Sequence, residues 1–280
     1  KQRKQTTVAQ RVLGWDAAGT VEAIGNEVTL FKPGDAVYYA GDVTRPGCNS
    51  EYHLVDERIV GRKPKSLDFA QAAAIPLTAI TAWEAFFDRL RVQSGRSMLI
   101  IGGAGGVGSI GIQLAKNAGL HVIATASRPE SVKWVKELGA DAVANHKNLV
   151  AEVRSLRKEV DYIANFNDLD PHWEAMSELI APQGAMVAIT GFTRPVSMDI
   201  ARTKSTTLCW ELMFTRARFK TPDMIEQHRL LNRVAEQLDT GKLRGTLKET
   251  LSPINGANLK KAHEKLESGT MIGKLVLSSW

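Results

Sequence analysis

The chain is poor in cysteine. Its 280 residues hold two, Cys48 and Cys209, which excludes a disulfide framework and a cysteine-rich metal cluster. It has no apolar run long enough to cross a membrane as a helix. No hydrophobic segment follows the opening Lys-Gln-Arg-Lys-Gln, so no secretory signal is visible. Internal repeats, low-complexity tracts and metal-ligand spacing among His53, His121, His146, His172, His228 and His263 are also missing. These absences read as a reduced, cytoplasmic protein. Acidic charge is in deficit, with a net charge of +6, but the excess is modest and scattered. Arg216, Arg218 and Lys220, like Lys1, Arg3 and Lys4, read as solvated surface, which argues against a nucleic-acid partner. A positive balance does suit an anionic cofactor. With 44% hydrophobic and 24% charged residues, the length allows one large domain or two ordinary ones, each with a real core.

What the chain does have is glycine in one telling place. Residues 98–108 run Met-Leu-Ile-Ile-Gly-Gly-Ala-Gly-Gly-Val-Gly. An apolar strand leads into Gly103, Gly105 and Gly108, which fit G-x-G-x-x-G, and helical apolar spacing continues from Val107 to Asn117. Such a turn lets backbone approach a pyrophosphate closely and aims helix N–H groups and dipole at the anion. A second strand, His121 to Thr125, follows at the spacing of a βαβ unit.

The chain up to about Ser66 is glycine-punctuated and strand-like. Ala17–Ile24, Ala36–Ala40 and Glu51–Val55 read as strands, separated by turns at Gly25-Asn26 and Lys32-Pro33-Gly34-Asp35. Ser66–Ala74 starts a helix with Ser66 or Asp68 as cap, and Thr78–Leu90 is a second helix. Strands at Met98–Gly102, His121–Thr125, Ala142–Ala144, Tyr162–Asn165 and Ala185–Thr190 then alternate with helices at Val107–Asn117, Glu130–Leu138, Leu149–Arg157 and Pro171–Leu179. Asp170 is the expected cap of the last of these. The alternation predicts an α/β, doubly wound parallel sheet. Thr206–Phe214 adds an edge strand. Pro222–Leu238 and Asn258–Glu267 are helical, the latter capped by Asn258 and followed by Gly269. Lys274–Ser278 is a closing strand, so the tail returns to the texture of the beginning.

Three blocks resemble the medium-chain dehydrogenase/reductase superfamily, on its quinone oxidoreductase (zeta-crystallin-like) side, which includes bacterial proteins labelled "zinc-binding alcohol dehydrogenase family". They are Gly14-Trp15-Asp16-Ala17-Ala18-Gly19-Thr20-Val21 through Pro33-Gly34-Asp35, then Ala73–Trp83, then the Gly103–Gly108 loop; Gly273-Lys274-Leu275-Val276-Leu277 also fits. The resemblance covers essentially the whole chain. It implies a Rossmann sheet inserted into a GroES-like β-rich catalytic domain, with residues 1–75 and 219–280 in the catalytic domain and 76–218 in the cofactor domain. Family members carry a further segment ahead of the Gly-Trp-Asp block, so the chain reads as N-terminally truncated, with an incomplete catalytic domain.

Zinc-dependent relatives place a histidine ligand where this chain has Trp15, and a cysteine ligand near Thr78–Thr81, where none occurs. Both point away from catalytic zinc. The strand from His121 ends Thr125-Ala126-Ser127-Arg128, without the acid that binds the ribose 2′-OH of NAD. Ser127 and Arg128 can instead donate to a 2′-phosphate, which favours NADPH. The expected cofactor contacts are Gly103, Gly105, Gly106, Val107, Gly108, Ser127, Arg128, His146, Asn165, Phe166, Thr190, Gly191 and Phe192, with Thr81 a weaker candidate. Lys274 reads as a solvent-facing strand lysine. No catalytic acid can be named, and Tyr38 and Tyr39 read as structural. Without a Lewis acid, hydride transfer needs an electrophilic small molecule, a quinone or an α,β-unsaturated carbonyl. A nucleotide-binding protein with little catalysis and a zinc-type alcohol dehydrogenase-like enzyme are the alternatives. The apolar edge Thr206–Phe214 suggests a homodimer.

Overall fold

The computed structural model describes residues 12–280, so Lys1, Arg3 and Lys4 lie outside the described residues. The first strands among the described residues are β1 (Asp16–Thr20), β2 (Ala36–Ala40) and β3 (Val60–Arg62). They form an antiparallel sheet in sequence order, with Ala18 opposite Tyr38 and Tyr38 opposite Gly61. The expected strand at Glu51–Val55 is instead irregular chain. Its large apolar residues Tyr52 and Leu54 are exposed, while His53 turns inward to the Tyr39 hydroxyl and Val55 packs on the cluster of Phe31, Val37 and Tyr39.

Helix α1 (Phe69–Ala73) starts at Asp68, whose carboxylate accepts the Gln71 N–H while Gln71 reaches back to the Asp68 N–H. Helix α2 (Pro76–Trp83) begins with proline at its first position, where no N–H is needed, and runs into a π-helical turn at Glu84–Arg89. The βαβ region follows as β4 (Ser97–Ile101), α3 (Gly106–Asn117), β5 (His121–Thr125), α4 (Pro129–Glu137), β6 (Ala142–Ala144), α5 (Leu149–Leu156), β7 (Val160–Asn165), α6 (Trp173–Leu179), β8 (Ile180–Ala188), α7 (Asp199–Thr203) and β9 (Thr207–Trp210). Its six strands are all parallel, in the order β6-β5-β4-β7-β8-β9. This is the doubly wound order, which reverses direction between β4 and β7.

Strand periodicity explains the two cores. Met98 and Ile100 of β4 point into a cluster with residues of α2, α3 and α4, while Leu99 and Ile101 point into the opposite cluster with residues of α5 and α6. Both faces are covered, so β4 is buried along its whole length, as its unbroken apolar run requires. Helix α6 starts at Trp173 rather than at Pro171. The Asp170 carboxylate is drawn away from the helix to the N–H and hydroxyl of Thr193.

The tail comprises α8 (Thr215–Phe219), α9 (Glu226–Asp239), β10 (Leu247–Leu251), α10 (Gly256–Glu267) and β11 (Lys274–Leu277). The cap of α10 is Asn255, whose side chain accepts the Asn258 N–H, so Asn258 lies inside the helix it was expected to start. β10 and β11 pair in parallel. Helix α9 covers the opening sheet. The Tyr38 hydroxyl donates to the Leu231 carbonyl at 2.6 Å, and a Cβ on Gly61 would stand 2.5 Å from Leu231. Both ends of the chain therefore build one layer. Among the described residues, no helix is long and apolar enough to cross a membrane.

Candidate cofactor site

The carboxyl ends of β4 to β8 bring most of the expected residues to one edge of the sheet, beside the strand-order reversal where open α/β sheets bind ligands. Gly102 leaves β4 with φ +82° and donates its N–H to the Thr125 hydroxyl of β5 at 2.9 Å. The glycines that follow are there for close approach. A Cβ on Gly108 would stand 2.2 Å from the Gly102 carbonyl oxygen, and one on Gly103 2.9 Å from the Ala124 Cβ. Helix α3 begins at Gly106 behind the N-cap Gly105, which has no side chain to cap it, so its first N–H groups face the open edge. A backbone cradle at an uncapped helix N-terminus fits a dinucleotide pyrophosphate.

At the end of β5, Thr125 is buried and tied to the glycine turn, and Ser127 is half-buried. Arg128 precedes α4, with its guanidinium donating to the Thr270 carbonyl at 2.6 Å and lying 3.4 Å from Glu130. Glu130 is surface-exposed and already paired with Arg128, so no unpaired acid stands at this turn. His146 lies at the end of β6, exposed, in a short 3-10 turn.

The remaining expected residues divide. Asn165 is fully buried. Its amide donates to the Asp168 carbonyl and its oxygen accepts the Asn167 N–H, so its side chain closes the turn after β7 and only its backbone remains at the edge. Phe166 packs on Phe86 and lies across Gly111 of α3. Thr190 donates to the Asn167 carbonyl at 3.1 Å, joining the loops after β7 and β8; Gly191 is exposed. Phe192 sits edge-on to Trp173 and Trp210. Thr81 is buried in α2, its hydroxyl donating to the Leu77 carbonyl. Its neighbour Thr78 is the residue that reaches the glycine turn, 3.1 Å from where a Gly106 Cβ would be.

Lys274 departs from expectation. Its side chain is 21% exposed, because its methylenes lie over Gly106 and its ammonium pairs with Asp16 at 2.7 Å. The other Asp16 oxygen accepts the Leu77 N–H at the start of α2. One carboxylate thus joins β1, α2 and β11 beside the glycine turn. No local signal could reveal this, since Asp16 and Lys274 stand at opposite ends of the sequence. Gly273 completes the contact by donating its N–H to the Ala104 carbonyl at 2.9 Å.

Neither cysteine is poised to react. Burial, then the nearby Asp16 charge, pushes the Cys48 thiol up to about 12, and burial pushes Cys209 up to about 11. Burial also raises both phenols, Tyr38 and Tyr39, above the usual tyrosine range. Tyr39 donates to His53 Nδ1, and His53 Nε2 faces the Pro46 carbonyl. A cavity of about 240 Å³ lies beyond His53, walled by Arg45, Arg58, Ile59, Lys220 and Met224. No glycine-turn residue lines it, so it is separate from the cofactor groove.

Such a sheet, with a glycine cradle at its carboxyl edge and a β-rich unit built from both chain ends, defines an alcohol-dehydrogenase-like oxidoreductase. Comparison with known proteins agrees. Residues 2–65 match the alcohol dehydrogenase GroES-like domain family and residues 106–229 the zinc-binding dehydrogenase family. A zinc-type alcohol dehydrogenase-like protein of Staphylococcus aureus (strain COL) is 44% identical, over 99% of this chain and 86% of that protein. The crystal structure of a protein from Rhizobium etli CFN 42, named as a zinc-dependent alcohol dehydrogenase, superposes with a TM-score of 0.92 at 52% identity, covering 96% of this chain and 81% of that one. The quinone oxidoreductase from Coxiella burnetii superposes with a TM-score of 0.81 at 27% identity, covering 97% and 80%. The chain belongs to the medium-chain dehydrogenase/reductase superfamily.

The names of several relatives carry zinc, and this donor set does not fit it. Among the described residues, no three of His, Cys, Asp and Glu come together as ligands. Trp15 offers no ligand atom, and Cys48 remains a thiol that donates to the Asp16 carbonyl.

Proposed function

We propose that the protein is an NADPH-dependent reductase of quinones or α,β-unsaturated carbonyl compounds that works without a metal. The observation that carries this reading is the end of β5. Ser127 and Arg128 stand there, and the one nearby acid, Glu130, points into solvent and makes only a loose 3.4 Å contact with Arg128. A carboxylate in that place would repel a 2′-phosphate, whereas a hydroxyl and a guanidinium attract one.

A reduced nicotinamide bound at the edge supplies hydride. The chain's own groups hold and orient. The N–H groups opening α3 face the pyrophosphate, Lys274 adds positive charge beside them, and Ser127 and Arg128 take the 2′-phosphate. Phe166, Phe192 and Trp210 give the far end of the edge an apolar, aromatic lining. With no Lewis acid to polarise an isolated carbonyl, the acceptor must be activated by conjugation. Such an acceptor would take up hydride at its conjugated carbon or quinone ring as the electron pair shifts to oxygen, and solvent would supply the proton. Tyr38 and Tyr39 are held by protein acceptors and have no part in that step.

The test is consumption of NADPH with 1,4-benzoquinone, 9,10-phenanthrenequinone and 2-hexenal, each with and without a zinc chelator. Chelator-insensitive turnover of a quinone or the alkenal, with none of ethanol, is expected. No turnover of any acceptor, with NADPH binding intact, would leave a nucleotide-binding protein in its place. The free edge of β9, with Trp210 and Leu212 about half exposed, supports a homodimer formed across that edge.

A further inference from the structure

The glycine turn and Arg128 are bridged by a segment of the tail that neither motif contains. Helix α10 ends at Glu267, and Gly269, with φ +67°, turns the chain back across the sheet edge. The Ser268 hydroxyl lies 2.7 Å from that of Thr270 and accepts the Thr270 N–H at 3.3 Å, which fixes the turn. The Thr270 carbonyl then accepts from the Arg128 guanidinium at 2.6 Å. Three residues on, Gly273 donates to the Ala104 carbonyl inside the glycine turn. A Cβ at Gly273 would lie 2.5 Å from the Thr246 carbonyl oxygen and 3.5 Å from Trp134, so the segment is wedged in place. Lys274 follows, over Gly106 and on Asp16.

We infer that residues 268–274 form a strap along the cofactor groove, and that Thr270 acts as a positioning residue which presents Arg128 to the 2′-phosphate and couples that phosphate to the Asp16–Lys274 pair. The inference rests on the NADPH reading. Arg128 has N–H groups to spare. The Thr270 carbonyl takes one on Nη2, while Glu130, exposed and 3.4 Å from Nη1, is a weak competitor that a phosphate displaces. A guanidinium bridging phosphate and carbonyl is fixed at both ends, and the strap is fixed with it. A dinucleotide lacking the phosphate leaves the strap as it was. Discrimination between the two cofactors is therefore read partly by the tail, at a distance from the residue that touches the phosphate.

Hydrogen exchange of the whole chain, saturated with NADP⁺ or with NAD⁺, tests this alongside calorimetric affinities. Amides of 268–274 are expected to exchange at least threefold more slowly with NADP⁺ than with NAD⁺, and Arg128→Ala erases the difference. Ser268→Ala, which leaves Arg128 in place, is expected to weaken NADP⁺ binding severalfold while leaving NAD⁺ binding unchanged, with Ser268→Thr restoring it. Tighter NADP⁺ binding with equal protection of the strap would overturn the coupling and leave the cofactor reading standing. Equal weakening of both cofactors by Ser268→Ala would reduce the strap to a general structural element. Equal affinity of the natural chain for NADP⁺ and NAD⁺ would overturn the 2′-phosphate reading, and the coupling with it.

Discussion

Glu84 shows how far one residue can stand from its ordinary chemistry. It lies in the π-helical turn, almost wholly buried, against Glu211 and Arg216, with Gln227 at 3.5 Å. Arg216 also holds Asp88 and Asp223, and Arg89 holds Glu211. Burial, then the charge of Glu211, lifts the Glu84 carboxyl to about 9. The native state thus keeps a proton that the unfolded chain releases near the usual value of 4.5. This group's contribution to stability is complete below that pH, declines as pH rises, and is gone by about 9. Glu84→Gln keeps the shape and the neutral hydrogen bonding but cannot ionise. Its melting temperature is expected to gain on the natural chain's steadily across that range, and thermal denaturation followed by circular dichroism at several pH values measures the gap. A constant gap would show that Glu84 is ionised in the native state. Nothing in the local sequence Trp83-Glu84-Ala85 marks this acid as buried, because its partners come from residues 211–227. Gly108 is the opposite case: its spacing in the motif announced the close packing that the Gly102 carbonyl enforces.

Among elements, the most legible were those of the first βαβ units. β5 and β6 have the bounds that their apolar runs predicted, β4 and α4 are shifted by one residue, and α3 starts one residue early. Glu51–Val55 misled because alternation carries no sign: it says that two faces differ, not which of them meets a core. The edge strand was seen in outline, but β9 stops at Trp210, where the chain turns into the loop that sends Glu211 inward to Arg89. That strand carries the prediction about assembly. An unpaired parallel edge beside exposed Leu212 and Trp210 favours association with a second copy. Leu212→Glu places like charges across a twofold interface and is expected to shift the chain to monomer at micromolar concentration, as read by light scattering coupled to gel filtration. An unchanged molar mass would place any interface elsewhere.

At the scale of the molecule, the decisive contact joins the two ends of the chain. Asp16 and Lys274, 15% and 21% exposed, face each other over the start of α2. Lys274→Met keeps the methylene packing on Gly106 but leaves the Asp16 carboxylate without its cation. A loss of about 1–3 kcal/mol in stability is expected, smaller than for a fully buried pair because water still reaches both groups. Cofactor affinity is expected to fall about tenfold, the 1.4 kcal/mol that one lost charge contact represents. Adding Asp16→Asn should recover most of the stability and none of the affinity, a double-mutant cycle that separates the two roles. The resemblance of the Gly14–Thr20 and Gly273–Leu277 blocks to one family made both partners visible, but their meeting exists only in the folded chain.

The wedge of Gly273 against Ala104 has a consequence for dissection. Residues 76–218 contain the entire parallel sheet and every glycine of the motif, and would pass by inspection for a self-sufficient nucleotide-binding module. Excised, that piece would lose the outer wall of its own anion site, the backbone partner of Ala104, the carbonyl that steadies Arg128 and the cation over Gly106. The groove is a property of the closed loop of chain rather than of the stretch that bears its signature.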